Sequence, residues 1–183
     1  MSNTVHNSLD ADAFLAWAEA RQGRWELRDG AAVSMAPERA AHSLTKFAAQ
    51  KALDAAIARA GLPCRMLPDG MTVRITPNNA FVPDALVVCP PPPRDAVEVP
   101  NPVIVVEVLS PSTAAFDHGA KLDGYFSVAS IAHYLIIDPD RRVLIHHKRA
   151  AAGAIETRIL REGPLRLDPP GMEVEVGAMF AED

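Results

Sequence analysis

The spacing of apolar residues along the chain alternates between the period of a helix and the period of a strand. Helical spacing over residues 10–21 predicts a short amphipathic helix. Strand-like spacing follows over residues 24–28 and 31–35. Asp29-Gly30 separates these two runs and supplies the positive φ angles of a type I′ turn. The pattern therefore predicts a helix followed by a β-hairpin.

A long helix is predicted after the hairpin. Pro37 and Glu38 suit a first helical turn, and Gly61 is placed to cap a helix that runs to about Arg59. Apolar residues recur along one stripe of this helix, which consists of Leu44, Phe47, Ala48, Ala52 and Ala55. Leu53 and Ile57 lie beside this stripe and widen it. We expect the stripe to face the core, because an amphipathic helix buries its apolar side.

The rest of the chain is mostly strands. Apolar runs predict strands at residues 64–67, 71–75, 81–89, 103–109, 133–138, 142–147, 154–160 and 173–176, and a second long helix at 114–128. One helix before the sheet and one within it indicate a mixed α/β (α+β) fold in a single domain, residues 1–183. A central mixed sheet would then be flanked by helices, with the N-terminal hairpin and the C-terminal strands at its periphery.

Composition narrows the class of protein. Apolar residues make up 49% of the 183 residues and charged residues 22%, which is typical of a globular chain. The N-terminus does not have the composition of a signal peptide, and no run reaches the roughly 20 apolar residues that span a bilayer. Cys64 and Cys89 have no CxxC spacing, so we expect both to be reduced and buried in a cytoplasmic protein. With a net charge of −5, the chain has no broad positively charged surface that would attract nucleic acid. Any contact with nucleic acid must therefore be local or mediated by metal ions.

Glu107 lies inside the most apolar run of the chain, Val103–Leu109. A continuous β-branched run is typical of a strand that is covered on both faces. A carboxylate there loses solvation worth several kcal/mol unless it is paired, hydrogen-bonded or bound to a metal. Glu107 therefore either faces water at a sheet edge or takes part in chemistry.

Asp84 offers Glu107 a partner on the preceding strand, 23 residues earlier. If the two strands are neighbours, the carboxylates can converge at one end of the sheet around Mg²⁺ or Mn²⁺, which oxygen ligands suit. Such an ion can polarise a phosphodiester and activate water. Asp117 and Lys121 follow on the next helix, four residues apart and on one face, so that Lys121 can point toward Glu107.

These residues resemble a bacterial family of restriction-endonuclease-like proteins within the PD-(D/E)XK nuclease superfamily. The matching stretches are Trp25–Gly30, His42, Pro83-Asp84, the run Glu107–Thr113, Asp117 with Lys121 and Tyr125, His133-Tyr134 and Asp138-Pro139. They occur in the family's order over about residues 24 to 142.

The resemblance implies a restriction-endonuclease-like core with Asp84 and Glu107 as metal ligands. The superfamily's usual lysine position, two residues after the second acid, is occupied here by Leu109, so the resemblance transfers the lysine's role to Lys121. Asp117, His42 and Glu26 are the supporting candidates. Each also has a purely structural interpretation. Asp117 could be a solvated acid on a helix, His42 a surface histidine and Glu26 a solvated glutamate of the hairpin.

Two functions remain open at this level. One is a Mg²⁺- or Mn²⁺-dependent endonuclease, most simply of DNA, in which Asp84, Glu107 and Lys121 are catalytic. The other is a catalytically inactive module on the same fold for protein interaction or nucleic-acid sensing, which the acidic net charge and Leu109 favour. We also expect a homodimer, because the C-terminal strands leave sheet edges exposed and the N-terminal helix is apolar. We expect no membrane partner, because no apolar run is long enough to span a bilayer.

Overall fold

The computed structural model describes residues 8–109 and 118–181. Its helices are α1 (Ala11–Glu19), α2 (Ala40–Ala60) and α3 (His118–Ser127), and 3-10 turns span Ala151–Gly153 and Val176–Met179. Its strands are β1 (Trp25–Arg28), β2 (Ala31–Ser34), β3 (Arg65–Pro68), β4 (Val73–Thr76), β5 (Asn79–Phe81), β6 (Ala85–Val88), β7 (Pro102–Val108), β8 (His133–Asp138), β9 (Val143–Arg149), β10 (Ile155–Leu160), β11 (Pro164–Leu167) and β12 (Met172–Glu175).

The centre of the molecule is a six-stranded mixed sheet in the order β10-β9-β8-β7-β6-β3. Strands β7 and β8 are parallel, and the other neighbours in this sheet are antiparallel. Apolar residues of α2 and of the β11–β12 hairpin cover one face of the sheet, while Tyr125 and Phe126 of α3 cover the other. The fold is therefore the mixed α+β arrangement that the hydrophobic pattern predicts.

A second sheet, in the order β2-β1-β5-β4, extends from the central sheet. Its hairpin turn has positive φ at both Asp29 and Gly30, as predicted. Leu27 of β1 packs with Phe14 of α1, so the neighbouring positions Glu26 and Arg28 point to the opposite side of the strand. This alternation turns a charged side of β1 toward the central sheet.

The prediction for the buried face of α2 is wrong for Leu44 and Phe47 and right for the two residues that widen the stripe. Leu44 and Phe47 are 56% and 59% exposed, whereas Leu53 and Ile57 are buried together with Thr45, Lys46, Ala49 and Ala56. The helix buries the side that carries Leu53 and Ile57 because polar contacts at its first turns, described below, turn that same side toward the sheet.

Two other predictions about strands need correction. The run expected as one strand over 81–89 is divided into β5 and β6, because Pro83 has no backbone N–H to donate. The β11 strand was not predicted at all, since its alternation is only four residues long. The short runs at the C-terminus form a hairpin, β11–β12, whose inward residues join the core.

The expectation of reduced cysteines is also wrong, because Cys64 and Cys89 form a disulfide. The antiparallel register pairs Arg65 with Val88, so the next positions outward, Cys64 and Cys89, lie opposite each other with 4.3 Å between their Cα atoms. Pairing of β3 with β6, rather than proximity in sequence, brings the two sulfurs together. Within residues 8–109 and 118–181, no helix combines the length and apolarity needed to cross a membrane.

Two histidines are buried against each other on the central sheet. His133 of β8 and His146 of β9 are 0% and 2% exposed, and His133 Nδ1 lies 2.8 Å from His146 Nε2. Burial lowers the pKa of His133 to about 4, with a further contribution from the charge of Lys148. Burial and the proximity of His133 lower the pKa of His146 to about 3.

We expect this pair to make folding stability fall as the pH drops below about 6.5. The unfolded chain takes up protons at its histidines there, whereas the folded pair does not until the pH is near 4, at a cost approaching about 1.4 kcal/mol per pH unit for each histidine. The measurement is urea unfolding at pH 7.5 and pH 5.0. His146→Gln should reduce the loss of stability between these two pH values, and His147→Gln should not. An unchanged loss in His146→Gln would contradict the assignment.

Candidate active site

Two carboxylates lie beside each other where β6 begins and β7 ends. Ala85 pairs with Val106, and the Asp84 N–H donates to the Val106 carbonyl oxygen at 3.0 Å, so the register sets Asp84 beside Glu107. The Asp84 side chain is 7% exposed, and its Oδ2 accepts a 2.7 Å hydrogen bond from the Val108 N–H. The two predicted acids therefore converge through antiparallel pairing of their strands.

Helix α3 brings a cation and a phenol to Glu107. Lys121 Nζ donates to Glu107 Oε1 at 2.9 Å, and the Tyr125 hydroxyl donates to the same oxygen at 2.6 Å. Both side chains are nearly excluded from solvent. Lys121 and Tyr125 are four residues apart and therefore share one face of the helix. The second acid and the predicted lysine thus form a direct ion pair.

Glu26 reaches the same lysine from the second sheet. Its side chain is buried, and its Oε1 accepts hydrogen bonds from Lys121 Nζ at 3.1 Å and from the Val82 N–H at 3.1 Å. Arg28 donates to the other oxygen, Oε2, at 2.6 Å and 3.0 Å. The hairpin glutamate is therefore not a solvated surface residue, because it is buried and holds the same ammonium group that Glu107 binds.

The pKa values of these acids shift in different directions, according to whether burial or the neighbouring cations have the larger effect. The pKa of Glu107 rises to about 7, chiefly through burial and then through the nearby charges of Asp84 and Glu26, which together outweigh Lys121. Burial also raises the pKa of Asp84, although the Val108 N–H and His42 oppose it. The pKa of Glu26 is lowered, because Lys121 and Arg28 outweigh its burial. A cation close to Asp84 and Glu107 would favour their ionised forms.

A second group of charges lies on the other side of Asp84, formed by residues in the first turns of α2 and by Glu38, which precedes the helix rather than belonging to its first turn as predicted. His42 Nε2 lies 2.9 Å from the Val108 carbonyl oxygen and 3.6 Å from Asp84 Oδ2, while His42 Nδ1 lies 3.5 Å from Glu38 Oε2. Lys46 Nζ donates to both oxygens of Glu38, at 2.6 Å and 2.7 Å, and lies 3.9 Å from Asp84 Oδ1. Asp84 therefore links two charged groups.

Asp69 and Arg24 complete this second group. Asp69, in the turn after β3, accepts a 2.9 Å hydrogen bond from Lys46. Arg24 forms ion pairs with both Glu38 and Asp69. The residues are held by three separate parts of the chain, which converge only in the folded protein.

Among the described residues, three have donor atoms that could hold a metal ion together. They are Glu38, His42 and Asp84, whose ligand atoms lie within 4.8 Å of one another. Glu107 is not in this group, although the register places it on the neighbouring strand position. The carboxylates and imidazole are suitable ligands for a divalent cation, and the raised pKa values of Asp84 and Glu107 are consistent with one. The residues present therefore fit a divalent metal.

The structure brings together nearly all the site residues that the sequence predicts. Asp84, Glu107, Lys121, Glu26 and His42 belong to the two linked groups, whereas Asp117 lies outside the described residues. The sequence reasoning missed these four members of the site: Glu38, Lys46, Asp69 and Arg24. The i, i+4 spacing of His42 and Lys46 on one side of α2 is a signal that could have identified Lys46. Glu38 precedes the helix, and Arg24 and Asp69 come from other segments, so no local spacing points to these three residues.

The mixed sheet with acids at adjacent strand positions and a lysine from the following helix is a restriction-endonuclease-like fold. The chain belongs to the Uma2 family, whose model, described as "Putative restriction endonuclease", matches residues 11–178. This confirms the resemblance and the fold class that the sequence indicates.

A curated relative and a solved structure are similar to the chain over most of its length. The "Uncharacterized protein slr1290" of Synechocystis sp. is 28% identical over 147 residues, which cover 76% of this chain and 74% of that protein. A crystal structure described as "a putative nuclease belonging to DUF820" from Anabaena variabilis has a TM-score of 0.70 at 14% identity, and the match covers 94% of this chain and 97% of that one. At this identity the structural likeness establishes the fold alone.

We expect Glu107→Gln to stabilise the metal-free protein more at pH 8 than at pH 5. A carboxyl whose folded pKa is about 7 favours folding below its unfolded pKa and loses that advantage as the pH rises through 7. Glutamine keeps an oxygen for Lys121 and Tyr125 without the buried charge, so the gain at pH 8 should be about 1–3 kcal/mol. Urea unfolding in EDTA measures it. Exposed Glu156→Gln is the control, and an equal effect at both pH values would contradict the expectation.

Proposed function

We propose that this protein is a divalent-metal-dependent endonuclease that hydrolyses phosphodiester bonds of DNA. One observation carries the proposal: Asp84 and Glu107 occupy adjacent strand positions, and the Lys121 ammonium group lies 2.9 Å from the Glu107 carboxylate. Membership of the Uma2 family supports the same chemistry. The reaction adds water to phosphorus and breaks one P–O ester bond, which leaves a phosphate monoester and an alcohol.

The metal would be held by Asp84 and Glu107, with Mg²⁺ or Mn²⁺ as the cofactor. A bound divalent ion supplies Lewis-acid polarisation of the phosphate and lowers the pKa of water. Asp84 is suited to hold it because the Val108 N–H fixes one carboxylate oxygen at 2.7 Å, which orients the other. Lys121 fixes Glu107 in the same way, and Tyr125 adds a second bond to Glu107 Oε1.

The chain's own residues provide charge stabilisation and positioning. A metal ion beside Glu107 would lower the pKa of this carboxyl from the value of about 7 that it has without one, so Glu107 would act as an ionised ligand at neutral pH. Lys121 can turn its positive charge toward the negative charge that develops on the phosphate, since it already contacts Glu107. Glu26 and Arg28 act as positioning residues, because Glu26 anchors Lys121 at 3.1 Å and Arg28 anchors Glu26 at 2.6 Å.

Two observations favour the alternative of a catalytically inactive module. Leu109 stands where the superfamily carries its lysine, and Lys121 is held between two carboxylates rather than standing beside one. A module of this kind would still bind Mn²⁺ at Asp84 but would cleave no DNA. The two functions therefore predict different rates of DNA cleavage but the same binding of Mn²⁺.

Nicking of supercoiled plasmid with Mg²⁺ or Mn²⁺ tests the nuclease. Asp84→Asn, Glu107→Gln and Lys121→Met should each reduce the rate at least about 100-fold, because each removes a charge that acts on the transferred phosphate or its metal. Exposed Glu156→Gln should cleave at the rate of the unmodified protein. Circular dichroism checks that each variant is folded. Activity that survives all three changes would overturn the proposal, and Mn²⁺ binding without cleavage by the unmodified protein would support the inactive module.

We also propose that the protein forms a homodimer through the outer side of α2. Leu44 and Phe47 project beside a groove of about 750 Å³ between α2 and the β12 region. The α2 rim of this groove carries Lys51 and Arg59, and the opposite rim carries Glu173 and Glu175.

The charges around the groove favour a second copy of the chain as the occupant. A two-fold axis that lies in the plane of this face, parallel to the groove, places each rim opposite the other rim of the partner, so Lys51 and Arg59 of one copy would meet Glu173 and Glu175 of the other. The same rotation would bring the exposed Leu44 and Phe47 of each copy to the groove of its partner, where they would leave water. Both effects favour face-to-face association of identical chains.

Light scattering at micromolar concentration should give twice the mass of one chain. The double variant Leu44→Glu, Phe47→Glu should be monomeric, because it would bury two carboxylates in the contact. Ile159→Glu on the exposed edge strand β10 is the control, and it should remain dimeric if the groove, rather than the sheet edge, forms the contact. A monomeric mass for the unmodified protein would contradict the proposal.

A further inference from the structure

The disulfide and the candidate active site lie at opposite ends of one pair of strands. All four residues of β3 pair with β6 in an antiparallel register. One position beyond the first pair of this ladder, Cys64 and Cys89 are joined by the disulfide. One position beyond the last pair, the same register places Asp69 opposite Asp84. The length of β3 is therefore all that separates the disulfide from the acids of the site.

Asp69 fixes the position of a cation beside Asp84. Asp69 Oδ2 accepts a 2.9 Å hydrogen bond from Lys46 Nζ, and Arg24 forms an ion pair with the same carboxylate. The Lys46 ammonium group lies 3.9 Å from Asp84 Oδ1, whereas the Val108 N–H donates to Oδ2. Asp69 thus helps to hold Lys46 just beyond hydrogen-bond distance of the Asp84 oxygen that faces it.

Strand β3 has few other contacts that could fix its register. It is the outermost strand of the central sheet, and in the described part of the chain it pairs with β6 alone. None of its four side chains is fully buried, and Pro68 has no N–H to donate. A short edge strand with half-buried side chains has a weakly specified register. The covalent bond at its first end therefore contributes much of what keeps Asp69 in place.

The disulfide lies where a reductant can reach it. Cys64 is buried, whereas Cys89 is half-buried at the edge of the sheet. The thiolate of a dithiol would attack the Cys89 sulfur, and the Cys64 sulfur would leave as a thiolate that takes up a proton. The second thiol of the dithiol would then displace Cys89, which also takes up a proton. The protein gains two electrons and two protons, and the dithiol becomes a disulfide.

We propose that the Cys64–Cys89 disulfide is a redox control of the candidate active site, in which reduction by a dithiol loosens β3, displaces Asp69 and weakens the binding of a divalent cation at Asp84. Two effects act in the same direction. Loss of the Asp69 carboxylate removes negative charge from the surroundings of the cation, and Lys46 is free to turn toward Asp84 and compete with it. The inference deepens the proposed nuclease. It rests on that proposal for the metal at Asp84, but not for the link between the disulfide and Lys46.

The test compares Mn²⁺ affinity, measured by calorimetry, before and after reduction with dithiothreitol, which is removed under nitrogen before Mn²⁺ is added. We expect reduction to weaken binding at least about fivefold, a modest value for coupling between two sites, and reoxidation to restore it. Hydrogen exchange should become faster at the amides of β3 but not at those of β8. The double variant Cys64→Ser, Cys89→Ser should bind Mn²⁺ like the reduced protein and should not respond to dithiothreitol.

A second variant tests whether the effect passes through Asp69. Asp69→Asn in the oxidised protein should weaken Mn²⁺ binding by a similar factor, and reduction should then add little, because both changes remove the same contact with Lys46. Asp95→Asn, at an exposed acid in the loop after β6, is the control and should leave both the affinity and its response to reduction unchanged.

Several outcomes would overturn the inference. They are an oxidised protein that binds no Mn²⁺, an affinity or a β3 exchange rate that reduction does not change, a full response to reduction in Asp69→Asn, and global unfolding on reduction, seen by circular dichroism. Plasmid cleavage at equal rates by the oxidised and reduced protein would leave the nuclease intact while the inference fails. A redox-dependent Mn²⁺ affinity without any cleavage would have the reverse meaning.

Discussion

The Lys121 ammonium group, buried between two carboxylates, is the interaction on which the site depends. It bonds Glu107 of the central sheet at 2.9 Å and Glu26 of the second sheet at 3.1 Å, so one charge joins α3 to both sheets. An unpaired charge at this depth would cost several kcal/mol. Each carboxylate lowers the free-energy cost of burying Lys121, and Lys121 lowers the cost of burying each carboxylate. Helix α3 and the two sheets are therefore held in one arrangement.

The same constraint explains why the second sheet exists where it does. Strand β1 presents Leu27 to α1 and Glu26 to Lys121, so its two faces satisfy two different environments. Arg28 and the Val82 N–H fill the remaining hydrogen-bonding capacity of Glu26. A hairpin that would otherwise be marginally stable is thus tied to the core by polar contacts as well as by apolar packing.

Much of the site could be predicted from the sequence, because its chemistry depends on local pattern. Glu107 is conspicuous as a charge in an apolar strand, and the four-residue spacing on α3 places Lys121 and Tyr125 on one face. What could not be predicted depends on contacts between distant segments. The exposed Leu44 and Phe47 resemble a buried stripe, and only the contacts of His42 and Lys46 with the sheet show that α2 faces the other way. The Cys64–Cys89 bond likewise follows from strand register, which apolar spacing alone does not define.

In this site the two carboxylates are destabilised by burial even though both are well hydrogen-bonded. Asp84 and Glu107 are fixed by the Val108 N–H, Lys121 and Tyr125, yet burial still raises the pKa of each. Local hydrogen bonds therefore orient the carboxylates but do not fully compensate their charge. Replacing one of the two acids would relieve the repulsion. The divalent cation of the proposed function would relieve it as well, because a positive charge beside both carboxylates favours their ionised forms, so ion binding would offset the electrostatic cost of the two buried acids.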